Sequence, residues 1–394
     1  MVYITKSKDQ LSKLKILGEA ARFDVYGYPS VLSTPGKRAP QPHFIYPAAG
    51  RGRSFRLFKV LQTNACEGNC FYCANRQDRD FPRITFEPAE LARLFIEYYR
   101  KGLVDGLFLS SAISKGPDQS QQEMLRTVEL LRRRYQYRGY IHTKSLPGAH
   151  GDLIKRISRL SDRVSLNLEV PGQKYLNMIS PSKDYQKELL TGLAEISRIN
   201  RHHPLPSGIT TQLVVGAAGE TDQEIIKLAD KLYQELKLRR VYYSGFTPLK
   251  TTPLENRNPC SPWREFRLYQ ADFLIRKYHF RPEELYFDKE GRLPRNSDPK
   301  LAWAERHQDC FPLEINRASY WELMRVPGIG EISSKRIIEA RSHSKIKELE
   351  QLKRLGVVVK RAKGFITLNG KYYHKSKPEP PRKVEEQLFL WEGI

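Results

Sequence analysis

The sequence predicts an α/β fold built on a parallel sheet, followed by a smaller helical unit. The first observation is an alternation between residues 55 and about 250 of short β-rich apolar runs with stretches of helical period. The second is a tight turn, "VPGIG", between two helix-like segments at 319–341. The third is size: 394 residues are too many for one ordinary domain.

The strand candidates are 55–61 "FRLFKVL", 106–113 "GLFLSSAI", 140–145 "YIHTKS", 164–170 "VSLNLEV", 210–215 "TTQLVV" and 240–246 "RVYYSGF". Between them, Leu91, Leu94, Phe95 and Tyr98 recur at i, i+3, i+4, i+7, and Met124, Val128 and Leu131 repeat the pattern, as do Leu189, Leu193 and Ile196. Thr221 and Glu224 form a capping-box pair that opens a further helix. Strand–helix units in such a row imply a parallel sheet with helices outside it, as an open sheet or a partial barrel. The loops after the strands then share one face, where chemistry gathers. Around this core we expect an N-terminal extension at 1–50 with an opening helix near "KLKILGEAARFDVYG", and a core at 51–250. An accessory segment at 251–310, a second compact unit at 311–370 and a solvated linker tail at 371–394 follow.

Lys and Arg number 67 against 44 Asp and Glu, a formal net charge of +23. An excess of that size suits a polyanionic partner, nucleic acid before an acidic membrane surface. No run of about 18 apolar residues is present to span a bilayer, and "MVYITKSKDQLSKLKIL" lacks the apolar core and cleavage site of a secretion signal. Five cysteines, three of them clustered, make no disulfide framework. The expected compartment is a reducing cytoplasm, with no membrane partner.

The three clustered cysteines lie in "QTNACEGNCFYCANR", as Cys66-x3-Cys70-x2-Cys73, in the loop after the first candidate strand. A structural zinc site wants four ligands, and this loop supplies no fourth His or Cys. An iron–sulfur cluster held by three thiolates fits better, with one iron left open. A zinc site completed from a distance by His43 or His142 is the alternative. Cys260 and Cys310 lack cluster spacing and read as buried apolar cysteines.

The spacing Cys66-x3-Cys70-x2-Cys73, with Tyr72 before the last cysteine and six strand–helix units, resembles the radical S-adenosylmethionine (SAM) superfamily. That resemblance implies a partial (β/α)6 TIM-like barrel and a 4Fe–4S cluster on Cys66, Cys70 and Cys73. It also implies SAM chelated by the open iron and cleaved by an electron from the cluster to a 5′-deoxyadenosyl radical, so that an external electron donor is needed. It further implies SAM contacts from Tyr72, beside the adenine, and from Val214 and Gly216 at the glycine-containing end of strand five. Where the superfamily often has Gly-Gly-Glu after strand two, this chain reads "SSAI", leaving Ser110 and Ser111 as substitutes. Ser165, Asn167 and Glu169 alternate with Val164, Leu166, Leu168 and Val170, so three polar side chains face one way, suited to ribose or methionine. Lys144 ends strand three as a candidate partner for the SAM carboxylate, with a solvent-facing lysine as the other reading.

In "SYWELMRVPGIGEISSKRIIEAR", Ser319 and Glu322 make a capping box, and Gly328, Ile329 and Gly330 form the turn into a second helix. Bare amides at that helix N-terminus offer an anion site, with Lys335 and Arg336 close behind. This resembles a helix-hairpin-helix, which grips the backbone of duplex DNA without reading sequence. "LKRLGVVVKRAKGFI", with Gly356 in its turn, reads as a second, degenerate copy, and two copies form a small all-α domain. Between Arg317 and Lys377, fifteen Lys or Arg stand against five Glu, a net +10. The tail residues Gln387, Leu388, Leu390 and Trp391 resemble the peptide by which bacterial repair proteins dock in the sliding clamp. With "DPKLAWAERH" and "FPLEINRAS", the chain resembles throughout the radical SAM proteins assigned to DNA modification or repair and found beside a uracil-DNA-glycosylase-like partner. The expectation is hydrogen-atom abstraction from a nucleotide, in a cytoplasmic, nucleoid-associated enzyme. A radical SAM enzyme acting on RNA, and a non-enzymatic DNA-binding protein with a structural metal, stay open as alternatives.

Overall fold

The computed structural model describes residues 10–21, 44–49 and 54–373. The chain divides into two compact units, residues 1–220 with 231–265, and residues 221–230 with 266–394.

The first unit is organised by a seven-stranded sheet whose strands follow chain order: β1 (Ile45–Ala49), β2 (Ser54–Leu61), β3 (Gly106–Ser110), β4 (Tyr140–Lys144), β5 (Arg163–Ser165), β6 (Ile209–Val215) and β7 (Arg240–Gly245). β1 runs antiparallel to β2; every later neighbour is parallel. α1 (Gln10–Ala20) precedes the sheet, and the connections carry α2 (Pro88–Arg100), α3 (Gly116–Glu129), α4 (Gly151–Leu160), α5 (Gln173–Ile179), α6 (Thr191–His202) and α7 (Asp222–Glu235), the last of which contributes residues 231–235 to this unit. The sheet curls into a partial barrel. Tyr46 on β1 is close enough to Tyr242 on β7 to interact electrostatically, although these strands lie at opposite edges.

Alternation along the strands sorts the two faces. Phe58, Val60, Leu107, Leu109 and Ile141 point outward into a core shared with Leu91 and Phe95 of α2 and Leu125 and Val128 of α3. Lys59, His142, Ser165, Thr210 and Gln212, on the complementary face, are buried within the barrel. His142 Nε2 pairs with Ser165 Oγ at 2.9 Å, and Lys59 Nζ lies 4.8 Å from the centre of the Tyr46 ring.

The structure differs from expectation at three strands. β3 stops at Ser110, three residues before the apolar run ends, because Ser111–Ile113 turn away to pair with the cysteine loop through Ala112 N–H to Thr63 O and Glu67 N–H to Ile113 O. β5 has three residues; beyond it only an isolated bridge at Glu169 to Leu213 continues the pairing. The residues placed in an N-terminal extension include β1, a strand of the sheet whose short, proline-containing sequence carries almost no strand signal.

In the second unit, helices α9 (Pro299–Arg306), α10 (Tyr320–Arg325), α11 (Glu331–His343), α12 (Leu349–Arg354) and α13 (Val359–Ala362) are joined by β8 (Leu313–Glu314), β9 (Ile366–Leu368) and β10 (Lys371–Tyr372), which form a small sheet ordered β10-β9-β8. The helical region thus has a β clasp that the sequence did not announce. The Glu314 carboxylate builds it, accepting from the N–H groups of Asn316, Asn369 and Gly370 and from Thr367 Oγ1. Ser319 and Glu322 cap α10 reciprocally, as do Thr221 and Glu224 at α7. The candidate clamp-docking residues Gln387, Leu388, Leu390 and Trp391 lie outside the described residues.

Candidate functional site

The loop after β2 is built by backbone bonds and one buried cation. Arg83, buried, donates from Nη1 to Asn64 O (2.8 Å) and Asn75 O (2.7 Å), and from Nη2 to Arg76 O (2.5 Å) and Arg79 O (3.0 Å). A planar guanidinium offers several fixed donors at once, so one side chain knots the whole turn. Gln77 N–H to Gly68 O and Phe71 N–H to Ile179 O close its two sides.

Inside this loop Cys66, Cys70 and Cys73 line a cavity of about 230 Å³ at the C-terminal ends of the strands. Gly68 N–H points at Cys66 Sγ (3.3 Å), Asn75 N–H at Cys73 Sγ (3.4 Å), and Ser180 Oγ lies 3.2 Å from Cys70 Sγ. Burial, with the neighbouring Cys70 thiol, pushes the Cys73 thiol up to about 12. Three thiolates crowded here need a cationic group among them. Among the described residues no three His, Cys, Asp or Glu side chains converge on one ion. The cavity lining brings these three thiols together with no fourth Cys or His, so the chemistry of the donor set fits a 4Fe–4S group, which takes one thiolate per iron. His142 is deeper in the barrel, bonded to Ser165, and His43 is outside the described residues.

The same cavity is lined by Tyr72, Ser110, Ser111, Lys144, Asn167, Glu169 and Val214. Two other candidates are not brought there. Ser165 faces the small pocket below, with His142. Gly216, φ +90°, sits at the end of β6 against Cys260 and Arg264, and its N–H donates to Glu220 Oε1. Ser165, Asn167 and Glu169 are all buried on one side and Val164, Leu166, Leu168 and Val170 on the other. Alternation therefore survives past the end of the hydrogen-bonded strand. Glu169 adopts φ +65°, and its carbonyl accepts the Val214 N–H at 2.6 Å. Its carboxylate receives the Tyr72 hydroxyl, whose pKa burial and Glu169 raise well above the ordinary value.

The sequence reading missed Lys183. It lines the cavity with Nζ 3.9 Å from Glu169. Burial works against its charge, but Cys70, Glu169 and the other two thiols outweigh that and raise its pKa. It also missed Arg83 and Glu220, the latter fully buried and accepting from Gly216 and Ala218 N–H. A lone polar residue in a loop gives no sequence signal of this kind, because its partners are carbonyls and amides set by the fold. Cys260 is part-buried and Cys310 exposed, which corrects the expectation that both are buried; neither lines the cavity.

In the second unit the expected turn carries Gly328 at φ +84°, with Gly330 extended as the N-cap of α11. The degenerate copy is present as α12, a turn at Gly356 (φ +88°) and α13. The turns lock together: Val358 N–H donates to Gly328 O at 2.9 Å, and Ser333 Oγ to Gly356 O at 2.8 Å. Ile329 is buried, and its carbonyl accepts the buried Lys300 ammonium. The amides are not all bare as expected: Ile329 N–H bonds Val326 O, and Glu331 N–H bonds the Tyr278 hydroxyl. Lys335 and Arg336 are exposed, Lys335 in an ion pair with Glu331 at 2.7 Å.

A curled, mostly parallel sheet thus carries, on the loop after β2, three cysteines that line one cavity, an arrangement similar to that of a superfamily whose enzymes use a 4Fe–4S cluster and SAM. Residues 60–232 match the Radical SAM superfamily, and residues 312–367 match the helix-hairpin-helix motif. Among solved structures, the chain is similar to the FeFe-hydrogenase maturase HydG from Carboxydothermus hydrogenoformans (14% identity, 55% of this chain and 50% of that one, TM-score 0.45). It is also similar to methylornithine synthase PylB (10%, 69% and 70%, 0.46) and to the radical SAM methyltransferase TsrM from Kitasatospora setae (14%, 50% and 38%, 0.40). The chain spans about half the length of the HydG structures it matches. No curated protein matches it in sequence. No helix among the described residues is long and apolar enough to cross a membrane.

Proposed function

We propose that the chain is a radical SAM enzyme that modifies or repairs DNA, with the double hairpin holding the sugar–phosphate backbone. The observation that carries this reading is the matched helix-hairpin-helix, whose turn glycines and basic helix sit in a region of net charge +10. When bound, the cluster and SAM supply a 5′-deoxyadenosyl radical able to abstract hydrogen from a nucleotide. This chain's residues hold and shield them. Cys66, Cys70 and Cys73 would take the cluster; Tyr72, Ser110, Ser111, Lys144, Asn167, Glu169 and Val214, which line the same cavity, would hold SAM. Lys183, part-buried, brings a positive charge against the thiols and the Glu169 carboxylate. Gly328, Ile329 and Gly330 shape the phosphate site, with Lys335 and Arg336 as its cations. An electron donor, a uracil-DNA-glycosylase-like protein and, through Gln387–Trp391, the sliding clamp are the partners in this reading, and a cytoplasm with access to the nucleoid is its compartment.

The test is release of 5′-deoxyadenosine from SAM by anaerobically reconstituted, reduced protein, with and without duplex DNA. Release that rises with DNA is expected; release stimulated by structured RNA instead assigns the RNA alternative. No release from iron-loaded protein leaves a DNA-binding protein with a structural metal. Cys70→Ala separates that case too: it is expected to lose iron and SAM cleavage yet keep its fold, whereas a structural site would unfold.

A further inference from the structure

The helical unit carries an exposed aromatic cluster beside its hairpin. Trp321, in the first turn of α10, is 52% exposed. Two rings hold it edge to face, Tyr320 at 4.9 Å and 76° and His279 at 5.0 Å and 86°. His279 directly follows α8 (Pro262–Tyr278) with φ +54°, a conformation uncommon for a residue with a side chain. Tyr278, one residue earlier, reaches the start of α11: its hydroxyl accepts the Glu331 N–H, and a Cβ on Gly330 would lie 3.0 Å from it. Tyr320 interacts electrostatically with Lys335, and Lys277 with Glu331, so lysines rim the same helix start.

We infer that Trp321, backed by His279 and Tyr320, is a stacking platform for one unpaired nucleobase of a DNA strand whose phosphates run past Lys277 and Lys335. This rests on the DNA reading above and narrows it. An aromatic face next to cations suits a base joined to a phosphodiester, since every base has a π-face and every link a charge. An intact duplex hides its base faces, so the favoured substrate class is DNA with an extruded, mismatched or single-stranded base.

The experiment uses the full chain and two oligonucleotides of equal length, one a paired duplex and one the same duplex with a single unpaired thymine, at fixed salt. Trp321→Ala is expected to weaken binding to the unpaired-base duplex by about tenfold or more, leaving the paired duplex within about twofold. Trp321→Phe keeps most of the affinity but loses the indole quenching that the unpaired base causes in the wild type. Equal affinities of Trp321→Ala and wild type, or equal losses on both oligonucleotides, overturn the platform alone. A wild-type chain that binds neither overturns the platform and the DNA reading together.

Discussion

Glu265 shows how one side chain sets a pH dependence. Its carboxylate accepts the Gly245 N–H at 2.9 Å beside the cavity wall. Burial raises its pKa from an ordinary 4.5 to about 7, the Gly245 bond opposing it. Between those values the folded protein keeps a proton that the unfolded chain releases. The group's stability contribution is therefore full below about pH 4.5 and is lost as pH rises towards 7. Glu265→Gln, neutral throughout, is expected to melt like wild type at about pH 5 and to gain about 2 kcal/mol at about pH 8. A pH-independent difference between the two melting curves would count against this account. Gly328 makes a steric prediction. At φ +84° a Cβ there would lie 2.5 Å from Val358 O, so Gly328→Ala strains the backbone and prises the two turns apart. About 2 kcal/mol or more of lost stability is expected in urea unfolding of the helical unit, with weaker duplex binding alongside.

At the scale of an element, the cysteine loop depends on Arg83 as much as on its cysteines. Carbonyls from Asn64 to Arg79 converge on one guanidinium. Lysine retains the charge but not the fork, so Arg83→Lys leaves buried carbonyls unbonded, at a cost of about 2–3 kcal/mol. Its expected signature is less iron retained per chain after reconstitution and desalting, with the circular dichroism of the sheet unchanged; full retention would show that the loop holds itself. What was legible in the sequence divides at this scale. The cysteines were readable because their spacing is local, and β2, β4, β6 and β7 because their outward faces bury apolar residues, Phe58 and Val60, Ile141, Leu213 and Val215, and Val241 and Tyr243. β5 read too long because Asn167 and Glu169 keep an alternating pattern after the regular strand ends, with Glu169 held by backbone bonds to Gln212 and Val214 on the neighbouring strand. Arg83, Lys183 and Glu220 were invisible because nothing local distinguishes a buried loop ion from a solvated one.

For the whole molecule, the net charge of +23 makes a thermodynamic prediction. Duplex affinity is expected to fall linearly with salt on logarithmic axes, with a slope near −0.9 per phosphate contacted. Lys335→Glu and Arg336→Glu should each flatten it by about one contact. A slope unmoved by both would shift phosphate binding away from the hairpin. The sequence by itself determined the sheet and the gathering of three thiols in one loop beside it, since three thiols in eight positions and the strand–helix rhythm are short-range properties of a chain. Only the tertiary structure decided which polar residues share the cavity. It brought Glu169 to Tyr72 and Lys183, sent Ser165 below and Gly216 aside, and set Trp321 beside a helix start more than nine residues away along the chain. Those neighbours come from different strands, loops and helices, and their meeting depends on curl and packing that no local pattern encodes.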